Sequence, residues 1–262
     1  MPGAFLQLDR AALGSVASAR ATIATMPITN LQDPQPRRRA RLMGSSATIT
    51  ADLGAEVSVD CIALISTTLG AGAVVQARLS NVANFSVTLA DTGLLNAEAQ
   101  DESQGNVVLV FPAPVTARYL RVDLTDGAAP YMDIGLLVAG QLWRLQRGTA
   151  YGIREGRVML DRRDRNPYTG AEFPVPAIVN PRMAAFTLPA LSTAEARNQH
   201  RDMLRRLGAV RDTLWIAELT DSLAERNRRA IWGAMNAPGE DATISRDSLP
   251  LSSRGFRVVE RV

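Results

Sequence analysis

Apolar and polar positions alternate most clearly between Ala47 and Ser66. Thr48, Thr50 and Asp52 interleave with Ile49, Ala51 and Leu53, the period-two pattern of a strand with one wet and one buried face. Gly54 breaks the run. Beyond it Val57, Val59, Cys61, Ala63 and Ile65 share one side of a second extended segment whose other side, Ile62 and Leu64, is apolar too. That predicts a strand covered on both faces, at the centre of a β-sandwich. Ala21 to Met26, Val74 to Leu79, Val107 to Phe111, Arg118 to Leu124 and Ile134 to Val138 supply the other strands. Pro27 to Pro36 is expected to be a loop, Leu69 to Ala73 a turn, and the polar stretch Leu94 to Asn106 an exposed loop.

The pattern changes after Arg147 to Gly152, the best domain boundary. Strands are expected at Arg157 to Asp161, Met183 to Leu188, Thr213 to Ala217, Arg229 to Met235 and Arg254 to Val259, with a charged loop from Arg162 to Glu172. Ser192 followed by Glu195 is a capping box that opens a helix closed by Gly208. Ala196, His200, Met203, Leu204 and Leu207 fall on one face of that helix, and Arg197, Arg201 and Arg205 form a stripe on another. Ser222 and Glu225 repeat the capping spacing. The fold class is therefore mainly β. An arm over 1–20 precedes a sandwich over 21–145. A linker over 146–156 then leads to an α+β domain over 157–262, a β-barrel or sheet with one flanking helix.

Composition narrows the function. The 262 residues carry a net charge of only +3. All of the basic side chains apart from one histidine are arginine, spread along the chain rather than gathered on one face, so nucleic acid is not an expected partner. No apolar run approaches the roughly 20 residues of a membrane span, and the first residues lack the pattern of a secretory signal. The single cysteine, Cys61, lies inside an apolar strand and reads as a buried inert thiol.

Candidate chemistry is sparse. Arg37, Arg38, Arg39 and Arg41 form the densest basic cluster; it could grip an anionic glycan or phosphate, and a solvated rim is the favoured reading. A sugar-binding reading of the sandwich would use Arg121, Asp123 and Tyr131 at a loop rim, against a reading in which the neighbouring Tyr119 and Arg121 brace the sandwich edge. His200 lacks nearby ligand partners and is expected to be structural. Nucleophile elbow, phosphate loop, dinucleotide fingerprint and metal-ligand spacing are all missing, so no enzyme, catalytic residue, metal or cofactor is expected.

Two resemblances sharpen these expectations. Asp52-Leu53-Gly54, the Val57 to Ile65 strand, the Ala117 to Val122 strand and the Pro27 to Asp33 loop resemble the discoidin, or galactose-binding-like, domain, a jelly-roll sandwich. Phe186 to Leu191, the helix to Gly208, Leu214-Trp215-Ile216, Ile231-Trp232-Gly233 and Phe256 to Glu260 resemble a building block of phage tail-tube and distal tail proteins, a β-barrel with a flanking helix. In distal tail proteins the barrel comes first; here the order is reversed. The second resemblance implies a structural virion protein near the tail tip, made in the host cytoplasm and assembled as a hexameric ring. Its partners would be tail-tube, tape-measure and hub or fibre proteins. Arg162, Arg163, Asp164, Arg165 and Glu172 would then reach a neighbouring copy. The alternative is a lectin-like adhesin that binds a host surface glycan.

Overall fold

The alternation that begins at Ala47 belongs to one strand of 20 residues, Ser46–Ile65, in a computed structural model of the chain. The structure describes residues 4–6, 13–99, 105–145, 153–192, 195–207, 211–236 and 252–261. In chain order the strands of the first half are β1 (Ala4–Leu6), β2 (Ser15–Ser18), β3 (Ala40–Met43), β4 (Ser46–Ile65), β5 (Val74–Ser80), β6 (Ala90–Asp91), β7 (Leu95–Asn96), β8 (Val107–Thr125), β9 (Tyr131–Ile134) and β10 (Leu136–Gly140). The second half supplies β11 (Leu142–Arg144), β12 (Arg154–Arg157), β13 (Arg162–Arg165), β14 (Glu172–Val175), β15 (Arg182–Leu191), β16 (Asp212–Ile216), β17 (Ile231–Asn236) and β18 (Ser252–Glu260). Helices α1 (Arg201–Leu207) and α2 (Leu223–Arg229) complete it.

The sandwich is built around β4. A large antiparallel sheet runs β10-β4-β8-β5-β6, with β2 added to β4 and β7 to β5. The small sheet β3-β9 packs over it, and Leu42, Met132 and Ile134 meet Ile49, Val122, Leu124 and Leu64 in one apolar core. Gly54 sits at φ 78°, a left-handed conformation that costs glycine little. The β4–β8 register shifts just there, between Asp52 and Val57. Ahead of the shift the outward side of β4 is Thr48, Thr50 and Asp52; behind it the outward side is Cys61, Ala63 and Ile65.

Those last three residues are buried because a second sheet covers them. Seven strands run β11-β1-β16-β17-β18-β15-β12, and Leu214, Ile216 and Trp232 from this sheet pack on Cys61, Ala63, Ile65, Val108 and Val138. Apolar contact is supplemented by hydrogen bonds across the junction. Asn227, with no solvent exposure, accepts from Val108 N at 2.8 Å and donates to Ala97 O at 2.7 Å. The fully buried Asp60 accepts from Leu142 N at 2.7 Å and pairs with Arg144 at 3.0 Å. The Asn227 amide and the Asp60 carboxylate thus meet partners, as a low-dielectric junction favours. Burial pushes the Cys61 thiol far above its ordinary range, so it stays protonated.

Several elements differ from expectation. The expected arm holds two paired segments: Ala4–Leu6 joins the second sheet between β11 and β16, and Ser15–Ser18 pairs with β4. The second sheet thus draws strands from both sides of the sandwich segment. It is an open sheet among the described residues, with β11 and β12 at its edges. Ala21 to Met26 makes only the isolated bridges Thr22↔Leu42 and Ile23↔Met26, and Ile28–Gln32 in the following loop is a 3-10 turn. The strand expected to start at Arg229 is preceded by α2, which is capped where Ser222 Oγ accepts from Glu225 N, and the strand begins at Ile231.

The capping box at Ser192 is present and reciprocal. Glu195 N donates to Ser192 Oγ at 3.2 Å and Ser192 N donates to the Glu195 carboxylate at 3.1 Å. The helix opens with a π-turn over Glu195–His200 and continues as α1. The side chains of Ala196, Arg197 and Leu204 lie outside the described residues. His200 is buried, its ring edge-on to Phe256 with centroids 5.3 Å apart, in the core formed by Trp143, Phe186, Trp215 and Met203.

Candidate functional site

The expected sugar residues separate onto two faces. Arg121 and Asp123 lie on β8 and alternate with Leu120, Val122 and Leu124, which enter the core, so their side chains face outward from the large sheet. Asp123 sits at the centre of a closed polar set. It pairs with Arg121 at 2.8 Å, accepts from Thr48 Oγ1 at 2.6 Å, and also pairs with Arg78 on β5. Partial burial works against its charge, but the hydrogen bonds from Arg121, Thr48 and Arg78 outweigh it and hold the carboxyl below the ordinary aspartate value. These charges are spent on one another.

Tyr131 lies on β9, in the small sheet on the other side of the core. Its ring carries the Arg41 guanidinium at 3.8 Å from the centroid. Asp133 holds that guanidinium with two bonds of 2.7 Å. Tyr131 therefore belongs to an Arg41–Asp133 clamp and does not meet Arg121 or Asp123.

The basic cluster is divided because Arg37 to Arg39 lie in the turn ahead of β3 and Arg41 lies on the strand itself. Arg38 is exposed and pairs with Asp33 at 3.0 Å, and Arg41 belongs to the clamp. Arg39 is half-buried and reaches Ser66 Oγ at 3.0 Å. There it lines an open cleft of about 750 Å³ together with Ser66, Thr67, Thr68, Leu69, Gly70, Ala71, Ala99, Gly105 and Val179.

Hydrogen bonds hold the cleft in shape. Thr67 N and Oγ1 both donate to Gly105 O, at 3.1 Å and 2.5 Å. Thr68 N donates to Asp133 O at 3.0 Å, and Thr68 Oγ1 accepts from Asp133 N at 2.9 Å, tying the cleft to the Arg41–Tyr131 clamp. Gly70 N donates to the Asp126 carboxylate at 2.9 Å, and Ser66 N to Asn106 Oδ1 at 3.2 Å. Ser66 has φ 56°, a left-handed conformation that a non-glycine residue keeps only where its surroundings enforce it. Gly105 is at φ 71°, and a Cβ there would lie 1.9 Å from Thr67 O, so the two walls meet backbone to backbone.

Sequence reasoning named Arg39 within its cluster and missed the cleft. The described residues that form it, Arg39, Ser66 to Ala71, Ala99, Gly105 and Val179, are distant in the chain, and only the tertiary fold brings them together. The best available signal was Gly105 in a polar stretch.

The expected interface residues Arg162, Arg163, Asp164, Arg165 and Glu172 lie on a hairpin, β13–β14, instead of a loop. Asn166 Oδ1 accepts from Tyr168 N at 2.8 Å, and Gly170 at φ 70° completes the turn. Arg162 and Asp164 lie 3.5 Å apart, as do Arg163 and Glu172, all well exposed; pairs of this kind add little stability. Around them Met159, Leu160, Tyr168, Phe173 and Ile178 are between 54% and 96% exposed. Among the described residues no three His, Cys, Asp or Glu side chains are grouped to hold a metal ion, and no helix is long and apolar enough to cross a membrane.

No family model matches the sequence, and no curated protein matches it. Solved structures give partial likenesses. The lectin domain of lectinolysin complexed with Lewis B antigen has 15% identity and a TM-score of 0.41, over 52% of this chain and 99% of that one. Chitosan-binding module 1 of a chitosanase/glucanase from Paenibacillus sp. IK-5 has 18% identity and a TM-score of 0.41, over 50% of this chain and 98% of that one. A Streptococcus pneumoniae fucose-binding module has 12% identity and a TM-score of 0.41, over 51% of this chain and 95% of that one.

Proposed function

We propose that this protein binds glycans without turning them over, and that the cleft beside Ser66 to Ala71 is the sugar site. The cleft itself carries the reading. At about 750 Å³ it falls in the size range of small-ligand sites. Ser66 and Thr68 present hydroxyls that keep donor capacity after their internal bonds, and Arg39 adds several N–H donors, which suits a hydroxyl-dense ligand. The hydrogen-bonded frame is set before the ligand arrives, which lowers the ordering cost of binding. Screening the full chain on a glycan array tests this. Ala71 is exposed on the cleft wall, so Ala71→Trp should plug the cleft, abolishing the signal without moving the melting temperature. Retention of no glycan by the wild type, or binding that survives the plug, would sink the reading.

A second reading, assembly into a ring at a phage tail tip, is favoured by the hairpin β13–β14. A two-stranded ribbon is marginal alone, and one bearing Tyr168, Phe173 and Ile178 in solvent has the character of a contact surface. On this reading the hairpin meets the next copy, heterologous contacts close the ring, and the sandwich with its cleft is displayed from the tail. Cross-linking mass spectrometry of the concentrated protein should join the hairpin to another copy, and replacing Tyr168 and Phe173 with serine should remove that link. A wild-type chain that gives only intramolecular links would count against it.

A further inference from the structure

We infer that the ligand of the cleft is an anionic sugar, with a carboxylate or sulfate held by Arg39; this rests on the glycan reading and specifies its chemistry. Among the arginines of the sandwich, Arg38, Arg41, Arg78, Arg118, Arg121 and Arg144 each pair with an aspartate, and Arg37 is exposed to solvent. Arg39 is half-buried, and its side chain makes one hydrogen bond, to the neutral Ser66 hydroxyl, with no carboxylate partner among the described residues. Partly desolvating a guanidinium without a counter-ion is unfavourable, and an anionic ligand would relieve that cost.

Two further features point the same way. Among the described residues Arg39 is the one charged side chain of the cleft's lining, and the nearby Asp126 carboxylate is engaged by Gly70 N. The lining includes no aromatic ring among the described residues, so the apolar face of a neutral sugar finds none of them to stack on. Charge and hydrogen bonding must carry recognition instead. Ser66, held at φ 56°, presents its Oγ to the Arg39 guanidinium and so aims it along the cleft wall.

The test is affinity electrophoresis and calorimetry of the full chain with polygalacturonate, its methyl ester, dextran sulfate and dextran. Polygalacturonate and dextran sulfate should bind and the two neutral polymers should not. Arg39→Gln should weaken binding about 10- to 100-fold, the worth of one charge-assisted contact, at unchanged melting temperature. Arg38→Gln, a neighbour outside the cleft, should leave affinity unchanged. Equal binding of the methyl ester and the acid, or an Arg39→Gln variant of full affinity, overturns the anionic inference while the glycan reading stands. Equal losses from Arg38→Gln and Arg39→Gln also overturn it, because diffuse attraction would then suffice. Failure of every polymer here and of every glycan on the array overturns both.

Discussion

The outer face of the large sheet and the cleft beside it use the same residue types to opposite ends. On the sheet face Arg78 and Arg121 converge on Asp123, which Thr48 also contacts, so each guanidinium there has a carboxylate partner. In the cleft Arg39 has a hydroxyl for company and an open volume in front of it. A satisfied network braces a surface; a cation held ready and unpaired is available to a ligand. Sequence alone offered Arg121, Asp123 and Tyr131 as sugar residues at a loop rim and favoured a bracing role for Tyr119 and Arg121 at the sandwich edge. The structure gives Arg121 and Asp123 a structural occupation.

The largest effect should come from closing the gap between the cleft walls. Gly105→Ala adds a Cβ 1.9 Å from Thr67 O at a residue with φ 71°, so the walls must part. We expect a loss of about 3 kcal/mol, read by urea denaturation, together with loss of glycan binding. Next, Asp123→Ala leaves Arg78 and Arg121 facing each other. It should cost about 1 to 3 kcal/mol and leave glycan affinity intact, which separates bracing from binding. If affinity falls instead, the sheet face is part of the site.

Acid titration sharpens the contrast further. The folded Asp123 carboxyl lies below its unfolded value, so its contribution is complete above the unfolded value near pH 4 and is lost as pH falls through the folded one. Stability followed by circular dichroism should therefore decline below about pH 4, more in wild type than in Asp123→Asn. Binding of dextran sulfate should stay flat from about pH 5 to 9, since an arginine keeps its proton throughout. The smallest effect is expected from Ser66→Gly. Relief of left-handed strain and the added freedom of the unfolded chain nearly cancel, so stability should move by less than about 1 kcal/mol in urea denaturation.

What the sequence revealed depended on whether a residue's neighbours leave a period. β4 was legible because Ile49, Ala51 and Leu53 enter one core in strict alternation. Its second half was legible as doubly covered, from Cys61, Ala63 and Ile65 against Ile62 and Leu64, although nothing local could name Leu214 and Trp232 as the cover. The hairpin left no period because β13 is exposed on both faces. Ala4–Leu6 is too short to show one, so its place between β11 and β16 was invisible. Arg38 is exposed beside the local Asp33, whereas Arg39 is half-buried against the distant Ser66, and that difference is a property of topology.

The position of that three-residue strand bears on how the chain is made. Phe5 pairs with Trp143 on one side and Trp215 on the other, so its second neighbour leaves the ribosome about 200 residues later. At ordinary elongation rates that is a wait of roughly 10 to 40 s. The sandwich, whose pairings all lie between β2 and β10, can fold during that interval and bring β11 alongside β1. The nascent chain would then offer β16 a ready two-stranded template, and the order of synthesis becomes an order of assembly.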